Sequence, residues 1–264
     1  MNLPIAKVLT QITFVGLALV LTQSALACGA EGGDNAPAVD ACDEAGASVH
    51  LSSGPVAATA HAVDLITGNK YLRQLDARLP GGLTLVRHYN SRNTASGVLG
   101  PGWRHSFDAR LYFRQSADFN TIQIVQGDGR RIVFRDKTGA GSTPTVLQAL
   151  PSLYGTVRYQ PQVSADRRWV WRWRDGSALF FSVGGLLTSI ERANGYRLQL
   201  QYSTKPARLV KVTNRHRQSL QFEYDETSKR LRRVVLPDQQ LIRYSYDATG
   251  VLIEVARDQQ RQWA

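Results

Sequence analysis

The chain has 264 residues, with 32 Lys+Arg against 21 Asp+Glu and a formal net charge of +11. That length allows one or two domains. The charge favours anionic partners: nucleic acid, anionic lipid or acidic polysaccharide. The two cysteines, with no histidine between them, make a poor zinc site.

Lys7 is the only charge in the first 27 residues, and Ile12 to Leu21 is an apolar run broken by Thr13 and Gly16. Ala25-Leu26-Ala27 offers the small-x-small site of a signal peptidase, so residues 1–27 read as a secretory signal peptide. A membrane anchor needs roughly 20 apolar residues, and this run is shorter, so no transmembrane span is expected. The location this implies is secreted or cell envelope, which makes nucleic acid an unlikely partner. Cys28 follows the cleavage site directly, but Ala25 and Leu26 stand in the wrong order for a lipoprotein signal. Soluble export is therefore favoured over lipidation of Cys28. Cys28 and Cys42 are fourteen residues apart and are candidates for a disulfide in an oxidising compartment. Loss of the signal removes one basic residue and no acidic one, leaving +10.

Residues 28–61 are small and polar, and read as a flexible leader. Glu31, Asp34, Asp40, Asp43 and Glu44 make this stretch locally acidic.

From Val63 the texture becomes β, and residues 62–183 form a first β module. Leu83 to Tyr89 alternates apolar and polar, with a slip at Val86. Leu111-Tyr112-Phe113 and Ile122 to Val125 are short β-type runs, and Arg131 to Phe134 follows Asp128-Gly129 in a hairpin pattern. Lys137 to Pro151, with Gly139, Gly141 and Pro144, reads as an exposed loop. Trp169, Trp171 and Trp173 share one face of an alternating strand, and Asp175-Gly176 turns the chain into Ala178 to Phe181.

Residues 184–264 repeat. Leu187, Leu209, Leu231 and Leu252 are spaced 22, 22 and 21 apart, and Ile190, Val212, Val234 and Val255 keep the same spacing. Tyr202, Tyr224 and Tyr246 are 22 apart. A fixed period of this size means one supersecondary unit stacked repeatedly. Period-two alternation in Leu198-Leu200-Tyr202, Leu220-Phe222-Tyr224 and Ile242-Tyr244-Tyr246 makes each unit a β-hairpin. These leucines and tyrosines are read as structural, since a hairpin cannot bury its apolar face alone. Asn194-Gly195 is a strong turn. His216-Arg217, Asp238-Gln239 and Gln259-Gln260 hold the same place and are weaker turn formers, so longer or different turns are expected there.

Tyr224-Asp225 and Tyr246-Asp247, followed by Thr249-Gly250-Val251-Leu252, resemble the RHS/YD-repeat family. Tyr202-Ser203 departs at the acidic position, and Arg208 and Arg230 stand before Leu209 and Leu231 where the family carries glycine. Upstream, Thr67-Gly68-Asn69, Arg87-His88-Tyr89-Asn90-Ser91, Leu99-Gly100-Pro101-Gly102-Trp103-Arg104-His105-Ser106, Asp128-Gly129-Arg130-Arg131 and Asp175-Gly176-Ser177 resemble, in order, the module that leads into the repeats. The resemblance spans residues 55–264. It implies an all-β fold: a lead-in β module, then about four stacked hairpin repeats forming the start of a spiral β-sheet shell. It also implies a non-enzymatic secreted or envelope scaffold, related to toxin-delivering or cell-surface proteins, with a toxin downstream in longer relatives. About four units do not close a shell, so this stretch reads as a fragment, a decayed copy or a short relative.

No catalytic motif, phosphate loop or His-Glu-x-x-His pair appears, so no enzyme activity, cofactor or metal is expected. His88 and His105 fall within the matched motifs and could meet in space, but two histidines make an incomplete metal site. Asp225 and Asp247 recur at the repeat period, as turn-forming residues do. The three tryptophans stack a ligand or, more commonly, fill a buried face. Lys205, Arg208, Lys211, Arg230, Arg232 and Arg233, with Arg215, Arg217 and Lys229 nearby, are candidates for a stripe binding an anionic polysaccharide or cell-surface component. That gives the alternative reading, a binding module.

Overall fold

A computed structural model describes residues 68–93, 95–115, 120–136, 146–149, 154–258 and 260–263. The signal peptide, the leader and the Cys28–Cys42 pair lie outside them.

The described chain is all β apart from two short 3-10 turns, Pro80–Gly82 and Ala165–Arg167. It opens with β1 (Tyr71–Leu79), β2 (Leu83–Asn90), β3 (Ser96–Gly97), β4 (Gly100–Pro101) and β5 (Trp103–His105). Strands β1, β2 and β5 make a three-stranded antiparallel sheet. Seven strands follow: β6 (Arg110–Gln115), β7 (Asn120–Val125), β8 (Arg131–Asp136), β9 (Val146–Ala149), β10 (Thr156–Tyr159), β11 (Trp169–Arg172) and β12 (Ala178–Phe181). The repeats supply β13 (Leu187–Glu191), β14 (Arg197–Tyr202), β15 (Leu209–Asn214), β16 (Ser219–Tyr224), β17 (Leu231–Val235), β18 (Leu241–Tyr246), β19 (Leu252–Arg257) and β20 (Gln260–Trp263). Strands β6 to β20 pair in chain order in one antiparallel sheet, which runs without a break past residue 183.

At its start this sheet curls back on itself. Arg110 on β6 bridges Leu186, and the Leu111 N–H donates to the Gly185 carbonyl at 3.0 Å. A Cβ on Gly185 would sit 1.9 Å from that Leu111 carbonyl, so only glycine permits the approach. Inside the curl, Trp169 and Trp171 pack against Phe113 and Phe134. Within the segment read as loop, residues 146–149 are strand: β9 pairs with β8 and β10.

The repeat hairpins are built alike. Leu187, Leu209, Leu231 and Leu252 are all buried, as are Ile190, Val212, Val234 and Val255. Each pair is three residues apart, which in a regular strand would put the two on opposite faces. A register shift after every leucine inserts one extra residue and returns both to the core. The turns are also alike. Arg192, Asn214 and Leu236 each donate to the carbonyl four residues on. The fourth residue of each turn is left-handed: Gly195 at φ 79°, Arg217 at 62° and Gln239 at 66°. His216-Arg217 and Asp238-Gln239 therefore adopt the same turn as Asn194-Gly195, while Gln259 lies outside the described residues. At the other end of the hairpins, the glycine place of Gly250-Val251-Leu252 is taken by Lys229, at φ 62°, and not by Arg230.

Candidate functional site: the contact between the two sheets

The three-stranded sheet lies on the apolar face of the repeat strands. Leu83 to His88 on β2 are buried on both faces, which explains the broken alternation at Val86. One face meets the repeats, where His105 and Phe107 pack on Phe222. Backbone carbonyls join the layers too: the Leu231 N–H donates to the Val98 carbonyl at 2.8 Å, and the Asn214 side-chain Nδ2 to the Pro80 carbonyl at 3.2 Å.

A charged brace sits inside this contact. The register of β1 against β2 shifts between Leu75 and Ala77, making Asp76 the extra residue of a bulge. Alternation already puts Asp76 on the same side as Gln74, opposite Arg87, and the bulge brings Ala77 to that side as well. Arg87 Nε donates to both Asp76 oxygens at 2.7 and 2.8 Å, and the Tyr244 hydroxyl donates to Oδ2 at 2.8 Å. The Arg87 guanidinium stacks 5.0 Å from the Trp103 ring centroid. Both charged side chains are fully buried. Burial pushes the Asp76 carboxyl up from its ordinary range, opposed by the Arg87 charge and the hydrogen bonds from Arg87 and Tyr244. With its oxygens held by donors from both layers, Asp76 joins the two sheets.

The two histidines lie on adjacent strands, β2 and β5, but do not form one site. His105 is paired with Arg87 and His88 with Arg104, so their side chains take opposite faces. The Tyr71 hydroxyl is 2.6 Å from His88 Nδ1, and burial pushes His88 down to about 4. Burial lowers His105 as well. Among the described residues, no group of three or more His, Cys, Asp or Glu is placed to hold a metal. No helix there is long and apolar enough to cross a membrane.

The repeat tyrosines have one role in common. Tyr202, Tyr224 and Tyr246 donate their hydroxyls to the carbonyls of Leu187, Leu209 and Leu231, at 2.8, 2.7 and 2.8 Å. Each bond closes the open end of a hairpin. Asp225 and Asp247 shape the turns: Asp225 Oδ1 accepts from Thr227 and Ser228, and Asp247 Oδ1 from Thr249 and Val251. Those donors, led by the Ser228 backbone N–H and the Thr249 hydroxyl, hold both carboxyls below the ordinary range.

The basic residues singled out in the repeats are dispersed over several environments. Arg208 lies over the Tyr224 ring and Arg230 over the Tyr246 ring, each at 5.5 Å. Arg230 also fills the space beside Gly250 and Gly100. Arg233 pairs with Glu223 at 2.7 Å and Lys229 with Glu226 at 3.7 Å. Lys205 and Arg232 are exposed, Arg232 within a bulge, and Lys211 is half-buried. Trp169, Trp171 and Trp173 are 3%, 0% and 3% exposed, so no ring is open to stack a ligand.

Comparison with known proteins adds little about activity. A family model described as a domain of unknown function, DUF6531, matches residues 60–134. No curated protein matches. The crystal structure of TcdB2-TccC3-Cdc42 is similar at 15% identity and a TM-score of 0.23, covering 73% of this chain and 10% of that one. That of TcdB2-TccC3-TEV gives 15% and 0.23, covering 74% and 11%. The chain thus spans about a tenth of the length of these structures.

Sequence reading missed Asp76, Arg87 and Tyr244 as a unit. Their signal was faint: an acid within the β-prone stretch 71–79, and an arginine inside a strand otherwise apolar.

Proposed function

We propose that this chain is a non-enzymatic scaffold of RHS type, exported to the envelope or beyond. It would contribute an opening stretch of a β wall that displays or encloses another polypeptide. The observation that supports this is repetition of construction. Tyrosine bond, bulge and turn recur from hairpin to hairpin, and the buried Asp76–Arg87 pair joins the two layers through Tyr244. Regular units of this kind extend by adding neighbours and serve architecture.

The anionic-polymer reading keeps its support from net charge. In the repeats, Arg208, Arg230 and Arg233 already have aromatic or carboxylate partners.

Protease protection tests the scaffold reading. In the protein produced from its own gene, any polypeptide behind the wall should resist protease until Leu231→Asp opens the sheet. Equal cleavage before and after that substitution would count against enclosure.

A further inference from the structure

Beside the Asp76 brace the contact between the two layers is incomplete. A cleft of about 280 Å³ lies there, between the bulged stretch of β1 and strands β18 and β19. Its apolar walls are Leu75, Ala77, Ile242 and Val255. Ala77, Ile242 and Val255 belong to the core, while Leu75 is 37% exposed, so the apolar lining reaches the surface.

Two arginines also border the cleft. Arg78 is engaged elsewhere and is not part of the argument. Arg257 lies two residues after buried Val255 and pairs in register with Ile242, which puts it on the inner face of the sheet. In the preceding hairpin the same place, two residues after Val234, is filled by buried Leu236. Arg257 is half-buried, and its Nε donates to the Gln240 side-chain oxygen at 3.1 Å. That partner is neutral. The adjacent acid, Asp258, accepts instead from Arg243 and from the Leu241 N–H. Asp76, in the wall of the cleft, has its charge matched by Arg87. Among the described residues no carboxylate pairs with Arg257.

A guanidinium in this setting favours an anion. Partial loss of water strengthens the attraction, and a carboxylate accepts from its planar fork in two places. The walls favour an aliphatic chain, which gains by leaving water. At about 30 Å³ for each atom the size of a water, the cleft holds a ligand of about nine heavy atoms. That is below the usual range of drug-sized sites, about 300 Å³ and upward.

We infer that this cleft binds an aliphatic carboxylate of about six to eight carbons, its chain against Leu75, Ala77, Ile242 and Val255 and its head on Arg257. The site does not depend on enclosure of another polypeptide.

Octanoate titrated into the full-length chain, followed by isothermal titration calorimetry, tests this. Binding should saturate at one ligand per chain with a Kd of about 1 mM or below. The uncharged alcohol of the same length, 1-octanol, should bind the unmodified protein about tenfold more weakly, as for loss of a hydrogen bond to a charged group. Arg257→Gln should weaken octanoate by about the same factor. Leu75→Glu, which sets a negative charge at the exposed edge of the cleft, should weaken it as well. Leu75 is exposed and Arg257 half-buried, so both variants should melt with the unmodified protein. No saturable octanoate binding, equal affinity for 1-octanol, or binding that survives both substitutions would each overturn the inference.

Discussion

The Tyr244 hydroxyl donates to the Asp76 carboxylate at 2.8 Å, joining residues 168 apart in the chain. Through Asp76 the bond reaches Arg87, so one fully buried ion pair is shared by the lead-in sheet and the repeats. An ion pair so placed contributes less than its geometry suggests, because both charges have lost water. Breaking it is a different matter, since the partner is left charged and buried.

Asp76→Ala should therefore destabilise the protein by about 3–5 kcal/mol, by stranding Arg87. Tyr244→Phe, which removes one donor and keeps the ring, should cost about 1–2 kcal/mol. Urea denaturation followed by tryptophan fluorescence reads both. Equal, small losses would mean that the ion pair does not brace the layers.

The tyrosine bonds make a second, periodic test. Tyr202→Phe, Tyr224→Phe and Tyr246→Phe should each lower stability by about 1 kcal/mol, the net value of one neutral hydrogen bond. Their effects should be similar to one another because the bond is the same in each hairpin. A single dominant tyrosine would show that the units are not energetically equivalent.

Much of this repetition is legible in the sequence. The leucine and tyrosine spacings locate the hairpins, and alternation gives the buried faces of β14, β16 and β18. The bulges were legible too, in the three-residue offset of Leu209 from Val212 and Leu231 from Val234, both buried. Only a bulge reconciles that offset with one shared face. The turn at His216-Arg217 was misjudged because local propensity was read without its neighbours. Asn214 Oδ1 accepts from the N–H groups of His216 and Gln218, which stabilises a turn whose own residues do not favour it. The Asp76 brace is tertiary, and no local pattern pairs residue 76 with residue 244.

Those strained turns give a prediction of opposite sign to most substitutions. Arg217→Gly and Gln239→Gly should raise stability by about 0.5 kcal/mol, since glycine adopts positive φ without penalty. Gly195→Ala should lower it by about 1 kcal/mol for the same reason. Differential scanning calorimetry distinguishes the two directions. Destabilisation by all three would mean that the Arg217 and Gln239 side chains contribute more than their backbone strain costs.

His88 makes stability depend on pH. Its folded value, about 4, lies below the ordinary 6.5, so the unfolded chain takes up this proton first as pH falls. Stability from His88 is complete above pH 6.5 and is lost between 6.5 and 4, by about 3 kcal/mol. His105 is shifted in the same direction and adds to the slope. Urea midpoints measured from pH 7.5 to 4 should show the decline, and His88→Gln should flatten most of it. An unchanged slope in that variant would locate the acid sensitivity elsewhere.

The proposal of an RHS-type scaffold is tested most directly by electron cryo-microscopy of the protein as produced from its own gene. The account predicts that β13 to β19 lie within a curved wall bordering an interior volume, with β1, β2 and β5 fixed against its apolar face through Asp76 and Tyr244. A sheet that borders no interior and encloses no polypeptide would contradict it.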